Sequence, residues 1–103
     1  MTVLEVAHLT IKAGEEEAFV NSAQGAAKIL ADDSGCRAVE LIQGIEQSDA
    51  FLFVIEWDSV EAHETFRATE QFQLFRTAIG KYFAGPSSFA HYNRRIVLRE
   101  GDS

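Results

Sequence analysis

The stretch AFLFVIEW, residues 50–57, decides the fold that we expect for this chain. Large apolar side chains occupy every second position on one face of the strand that it predicts: Phe51, Phe53, Ile55 and Trp57. The opposite face is also apolar, at Leu52 and Val54, before it reaches Glu56. A strand that is apolar on both faces is covered on both sides. We therefore expect a sheet with helices on one face and, most simply, a second copy of the chain on the other.

The segments around this strand have the periodicities of a small α+β domain. The predicted elements are strands over residues 3–12, 36–43, 50–57 and 88–98, a helix from 15 to about 31, and a broken helical region between Asp58 and Gly85. The faces of the first strand are Val3, Glu5, Ala7, Leu9 and Ile11 on one side, and Leu4, Val6 and His8 on the other. The order β-α-β-β-α-β predicts a ferredoxin-like fold with a four-stranded antiparallel sheet. One domain accounts for residues 1–103, with a core over about 3–98 and a polar tail over 99–103.

The second helical region carries two patterns. Asp58 is predicted to cap its start, with Glu61 in the position of a capping box, and His63 then lies just past the first turn. A break is expected near Thr69. Beyond it, apolar residues recur at helical spacing and predict a stripe that faces mostly the core: Phe72, Phe75, Ile79 and Phe83.

Composition and charge exclude several classes of function. The formal net charge is −7, the pI is about 4.8, and no basic cluster exceeds Arg94-Arg95, so we expect no nucleic-acid partner. No segment approaches the roughly 20 apolar residues of a membrane span, and the N-terminus lacks the pattern of a signal peptide. With Cys36 as the single cysteine, these features predict a cytoplasmic protein. The three histidines are far apart in sequence, so we expect no metal cluster.

Several short motifs, spread over residues 3–92, form a recognisable set. They are Gly14-Glu15, Phe19, Gly35-Cys36, the run Glu56-Trp57-Asp58-Ser59-x-Glu61-Ala62-His63-x-x-Phe66, Phe72, and Phe83-x-Gly85-Pro86. The chain resembles the antibiotic biosynthesis monooxygenase family of dimeric α/β-barrel proteins. The resemblance implies a homodimer formed through the sheet faces. It does not imply one reaction, because some members oxidise phenolic polyketides or quinols with O2, others degrade haem, and a few isomerise small metabolites.

The haem-degrading members supply a direct comparison. Haem-degrading members of the family use an Asn on the first strand, the Trp at the end of the third strand, and a His on the second helical piece. The resemblance implies where the matching positions lie in this chain. Trp57 matches, but Ala7 or His8 stands near the first position and Arg76 near the last. Haem degradation is therefore disfavoured.

The cofactor-independent members imply simpler requirements, because a deprotonated phenol or hydroquinone can pass an electron to O2 itself. The protein then binds the ring, assists proton removal and excludes water. The candidates for proton chemistry are His63 and His8, with Trp57 beside them. The candidates for substrate binding are Phe53, Phe66, Phe72, Phe75, Tyr82 and His91. The resemblance implies no cofactor and no metal, and a small aromatic substrate.

Other interpretations stay open from the sequence alone. Trp57 and His63 are also typical packing residues, and the chain could be a ligand-binding or stress-related dimer without catalysis. An isomerase or decarboxylase would need a polar pocket with convergent charge, which the apolar third strand does not favour. A cavity that contains a His would favour an enzyme, and a filled core would favour the structural alternative.

Overall fold

The computed structural model of the protein describes residues 1–98, and the predicted polar tail over residues 99–103 lies outside them. The strands are β1 (Val3–Thr10), β2 (Cys36–Gln43), β3 (Ala50–Trp57) and β4 (Ser88–Tyr92). The helices are α1 (Glu16–Ala31), α2 (Val60–Arg67) and α3 (Glu70–Gly80). The second helical region is thus broken into two helices, as its sequence predicted.

The four strands form one antiparallel sheet in the order β2-β3-β1-β4, with β3 and β1 at its centre. The helices pack on one face of this sheet. This arrangement is the ferredoxin-like α+β architecture, so the predicted fold class is confirmed. Within residues 1–98, no helix is both long and apolar enough to cross a membrane.

The core lies between β3 and the helices, and the pattern of β3 decides its position. Burial alternates at every residue of β3, with Phe51, Phe53, Ile55 and Trp57 all buried. The buried stripe of α1 faces them: Phe19, Ala23, Ala26 and Leu30. The alanines leave room for the helix to approach the sheet closely, because their side chains are short. Both of these faces agree with the sequence predictions.

The other face of the sheet carries apolar side chains that no helix covers. The antiparallel pairs His8–Leu52 and Val6–Val54 place these four residues on this face, since directly opposite residues share a face of a sheet. Leu4 and Tyr92 are paired on the same side. Tyr92 and Ile42 are half exposed here. The face therefore has the composition of a surface that a further layer would cover.

The last strand is shorter than its sequence predicted, and so is the first. β4 ends at Tyr92 rather than at residue 98, because Tyr92 already pairs with Leu4 near the start of β1. Arg94 instead contacts Thr2 and Glu56 through its guanidinium group. β1 stops at Thr10 rather than at residue 12, and Ile11 forms an isolated bridge to Phe83. Phe83 therefore lies past the end of α3, outside the helical stripe that was predicted to include it.

The start of α2 also differs from the prediction. Ser59, not Asp58, caps the helix, since its Oγ accepts a hydrogen bond from the backbone N–H of Ala62 at 3.0 Å. Asp58 forms an ion pair with Arg37, and its backbone N–H donates to the carbonyl of Gly35 at 2.8 Å. The capping-box interpretation of Asp58 and Glu61 was wrong by one residue, because Ser and Asp are equally good caps and stand side by side.

Gly35 determines how closely α2 approaches the sheet. A Cβ atom at Gly35 would lie 2.9 Å from the Cβ of Ala62 on α2, which is closer than two carbon atoms can pack. A glycine at this position therefore lets the first turn of α2 lie against the start of β2. This approach fixes the position of the residues that α2 carries, among them His63.

Candidate active site

Three strands and one helix bring the candidate site together. β1 and β4 are paired so that Glu5 lies directly opposite His91, and β1 and β3 are paired so that Val3 lies opposite Trp57. Glu5, His91 and Trp57 therefore lie on the face that the helices cover. His63 on α2 packs directly over them.

Glu5 is the buried carboxyl group of this cluster, with only 7% of its surface exposed. Trp57 donates a hydrogen bond from Nε1 to Glu5 Oε1 over 3.0 Å, and His63 Nε2 lies 3.2 Å from the same oxygen. Burial raises the pKa of Glu5 above its ordinary value near 4.5, while the Trp57 hydrogen bond and the charge of Arg67 oppose this rise. Because both contacts engage Oε1, Oε2 is the oxygen left to meet a ligand.

His63 is enclosed by Trp57, His91, Glu5 and Phe89. Its ring stacks on the indole of Trp57, with centroids 4.9 Å apart and planes inclined by 15°. Its Nδ1 lies 2.8 Å from His91 Nε2. The carboxylate of Glu5 favours a proton on His63 Nε2, so we assign Nδ1 as the acceptor of the His91 N–H. Burial, with the charges of His91 and Arg67, lowers the pKa of His63 to about 4, so its imidazole is neutral at physiological pH.

A cavity of about 670 Å³ adjoins this cluster, and Glu5 and His63 both line it. Six phenylalanines contribute to its walls: Phe53, Phe66, Phe72, Phe75, Phe83 and Phe89. The edge-to-face pairs Phe53–Phe75 and Phe66–Phe72 present ring faces and edges to the interior. The volume lies within the roughly 300–1,000 Å³ of typical small-molecule sites. The arrangement can therefore hold a flat aromatic molecule beside a buried carboxyl group.

The sequence profile of the antibiotic biosynthesis monooxygenase family matches residues 2–78. The chain belongs to that family. This result confirms the resemblance that the motifs around Trp57 and His63 indicated.

Individual relatives within this family and fold agree with the assignment. The chain is 28% identical over 91 residues to the uncharacterized protein YczJ of Bacillus subtilis, a match that covers 87% of this chain and 96% of YczJ. The crystal structure of a Bordetella bronchiseptica protein assigned to antibiotic biosynthesis monooxygenases superposes with a TM-score of 0.88 at 27% identity, over 92% of this chain and 98% of that one. SnoaB of Streptomyces nogalater, a cofactor-independent oxygenase, superposes with a TM-score of 0.83 at 18% identity, over 94% and 96% of the two chains. At that identity, the likeness to SnoaB shows a common fold.

In this chain, most of the predicted site residues lie together. The four phenylalanines predicted to bind substrate, at positions 53, 66, 72 and 75, line the cavity along with His63. Trp57 is fully buried behind His63 and does not line the cavity, so its contact with the site runs through Glu5 and the stacked imidazole. His91 reaches the site through its hydrogen bond to His63.

Two predicted site residues lie elsewhere. His8 is exposed on the opposite face of the sheet, because it lies three positions after Glu5 and an odd offset along a strand changes the face. It cannot share the cavity of His63 within one chain. Tyr82 shares a hydrogen bond of 2.9 Å with Ser22 and packs edge-on against Phe19, away from the cavity. It was predicted to bind substrate, but it lies past the end of α3.

Three charged residues of the cavity were not predicted from the sequence. Glu5, Arg67 and Arg76 all line it. Glu5 had a visible signal, since it shares its strand face with Ala7, Leu9 and Ile11, and a charged residue among apolar neighbours on a core-facing strand is unusual. Arg67 also had a signal, since it lies four positions after His63 and therefore on the same helix face. Arg76 had none, because its position is set by how α3 turns towards the sheet.

The prediction that no cluster of potential metal ligands forms was also incomplete. Folding brings donor atoms of His63, Glu64 and His91 within 4.8 Å of one another, although His91 is far from the other two in sequence. The 2.8 Å between His63 Nδ1 and His91 Nε2 is a hydrogen-bond distance. Two nitrogens bound to one tetrahedral Zn²⁺ at ~2.05 Å would lie about 3.3 Å apart. Glu64 also lies 3.4 Å from the guanidinium of Arg67. The geometry therefore fits a hydrogen-bonded pair of histidines better than a metal site.

Proposed function

We propose that the protein is a cofactor-independent monooxygenase that oxidises a small phenol or hydroquinone with O2. The observation that carries the proposal is the carboxyl group of Glu5, which is buried at the wall of an aromatic cavity and is anchored through one oxygen only. Family membership and the shared fold of the oxygenase SnoaB support the same reaction class.

The chemistry needs no electron donor other than the substrate. Removal of a phenolic proton gives an electron-rich anion that reduces O2 by electron transfer. One oxygen atom then bonds to a ring carbon, and the other leaves as water. For a hydroquinone, the balance is hydroquinone plus O2 giving hydroxyquinone plus water, so the ring supplies all the electrons.

The residues of the cluster have distinct roles in this reaction. Glu5 accepts the phenolic proton through Oε2, because a carboxylate whose pKa is raised towards the working pH is a more effective base. Trp57 and His63 hold Oε1 and thereby orient the carboxyl group. His63 is a positioning residue rather than the base, since its pKa of about 4 and its contacts on both nitrogens leave it little capacity to accept a proton. The phenylalanine walls exclude water from the anion.

A panel of phenols and hydroquinones, incubated with the protein in air, tests the proposal. We expect O2 uptake above the rate of autoxidation in buffer for at least one compound. With ¹⁸O2, one labelled atom should appear in the product and the other in water. No uptake above autoxidation across the panel would contradict the proposal, and so would release of H2O2 without a labelled product.

One observation favours a second function. Glu5, Arg67 and Arg76 give the cavity the convergent charge that an isomerase would need, although the apolar β3 argued against it. The charge comes from β1 and the two short helices instead. An isomerase would convert its substrate without O2, so turnover of a panel compound under anaerobic conditions would favour this second function over the first.

We also propose that two chains associate face to face through their sheets to form a dimeric barrel. The support is the apolar face formed by the central strands, where Val6 and Val54 are paired and no helix covers them. Burial of apolar surface of this kind drives most protein association.

Replacement of Val6 with Glu should convert the dimer into a monomer, because a carboxylate in the middle of each apolar face would be buried without a partner. Light scattering coupled to gel filtration measures the mass directly. Ile45→Glu is the matched control, since Ile45 is 91% exposed in the turn between β2 and β3 and away from the sheet face. A wild-type monomer, or a Val6→Glu variant that stays dimeric, would show that the sheet faces do not form the interface.

A further inference from the structure

Two guanidinium groups lie at the cavity, in a chain whose net charge is −7. Arg67 near the end of α2 and Arg76 on α3 both lie over the ring of Phe72, with Cζ 5.9 Å and 5.8 Å from its centroid. Arg67 also lies 5.1 Å from the ring centroid of Phe89. These contacts hold the guanidinium groups against aromatic faces and limit their freedom to turn into solvent.

The charge of these arginines is only partly balanced by the rest of the site. Arg67 has Glu64 at 3.4 Å, a partly exposed pair that contributes little. Within residues 1–98, no carboxylate lies within ion-pair distance of Arg76. Glu5 lies in the same cavity but is turned towards Trp57 and His63. The cavity therefore carries two positive side chains in its lining on an acidic protein, and positive charge of this kind attracts anions.

We propose that the cavity selects an aromatic carboxylate, with the carboxylate held by Arg67 and Arg76 and a phenolic hydroxyl directed at Glu5. A guanidinium group binds a carboxylate with two parallel hydrogen bonds, and a carboxylate conjugated to its ring stays flat enough to lie among the phenylalanines. The inference rests on the proposed function for the role of Glu5, and it adds the charge of the substrate to that function.

The selection for an anion can be measured without any turnover. Titration calorimetry under anaerobic conditions compares 2,5-dihydroxybenzoate with 2,5-dihydroxybenzamide, which differ only in the charged group. We expect the carboxylate to bind at least about tenfold more tightly to the wild-type protein, since its charge-assisted hydrogen bonds are replaced by neutral ones in the amide. Arg76→Gln and Arg67→Gln should each reduce the preference for the carboxylate, and raised salt should weaken carboxylate binding in the wild type.

Arg95→Gln is the matched control, because it removes the same charge from an exposed residue that does not line the cavity. It should leave the preference unchanged. Equal affinity of the wild type for the two compounds, or no binding of either, would overturn the inference. So would an equal loss of preference in all three variants, since that would reflect net charge rather than a site. The measurement is independent of the proposed reaction, because selective binding without O2 uptake would refute the monooxygenase and leave the anion site standing.

Discussion

Replacement of Glu5 with Gln should lower the turnover number of the O2-consuming reaction by about 10²–10⁴-fold, the range that a positioned general base supplies. Gln has the shape of Glu and keeps an amide oxygen to accept the hydrogen bond of Trp57, so the cluster should remain assembled. It cannot accept a proton from the substrate. The measurement is the initial rate of O2 uptake at saturating substrate, with circular dichroism to establish that the variant is folded.

The pH dependence of the rate provides an independent test of the same role. The wild-type rate should rise with pH on a limb set by the raised pKa of Glu5, and this limb should be absent in Glu5→Gln. Glu46→Gln is the control, because Glu46 is exposed in the turn between β2 and β3. A decrease of less than about fivefold in Glu5→Gln, against the 10²-fold minimum expected of a base, would show that the proton leaves by another route.

Acidification should destabilise the folded protein through His63 by about 3 kcal/mol between pH 6.5 and 4. The ordinary pKa of this histidine is 6.5, and burial lowers it to about 4 in the folded state. Between these values the unfolded chain binds the proton and the folded chain does not. The free energy of unfolding that His63 contributes is therefore fully present above pH 6.5 and is lost as the pH falls through 4.

The groups that face His63 determine the size of this effect. His91 and Arg67 disfavour a positive imidazolium, whereas Glu64 favours it. Glu5 would also favour it when ionised, but its own pKa is raised, so it takes up a proton early during acidification. Its titration has the opposite sign, since the folded state then binds more protons than the unfolded chain, and it offsets part of the loss.

Urea unfolding at a series of pH values and constant protein concentration measures this dependence. The His63→Gln variant should lose the additional acid sensitivity, whatever its stability at neutral pH. The comparison is repeated between Glu5→Gln and the double variant Glu5→Gln/His63→Gln. The difference there should be larger, because no ionised Glu5 remains to stabilise the imidazolium of His63. Parallel curves for wild type and His63→Gln in both backgrounds would contradict a buried, neutral histidine.

The order and type of the elements could be predicted from the sequence because they follow from local periodicity. Phe51 to Trp57 alternate with period two, and Phe19 to Leu30 recur with the period of a helix, so each pattern specifies its own element. Element ends were less predictable. β4 ends at Tyr92, whose partner Leu4 lies next to the first residue of β1, and such a limit is set by another strand.

The site was harder to predict because it depends on contacts between distant residues. His63 and His91 are 28 positions apart and share a hydrogen bond. That bond requires the register that places His91 opposite Glu5, and no local pattern specifies a register between two strands. The phenylalanine walls were predictable as a group, since apolar residues on core-facing positions surround whatever space the core leaves open. The position of Arg76 within those walls was not, because it depends on how α3 turns towards the sheet.

The number of residues between β3 and α2 determines which side chains of α2 face the site. Only Asp58 and Ser59 separate Trp57 from the helix, and both are bound through backbone groups or side chains to fixed neighbours. A single inserted residue would rotate the helix by about 100° and turn His63 away from Glu5. Insertions should therefore be tolerated in the turn between β2 and β3 but not here, and relatives that differ in length at this junction should be expected to hold a different set of groups over the tryptophan.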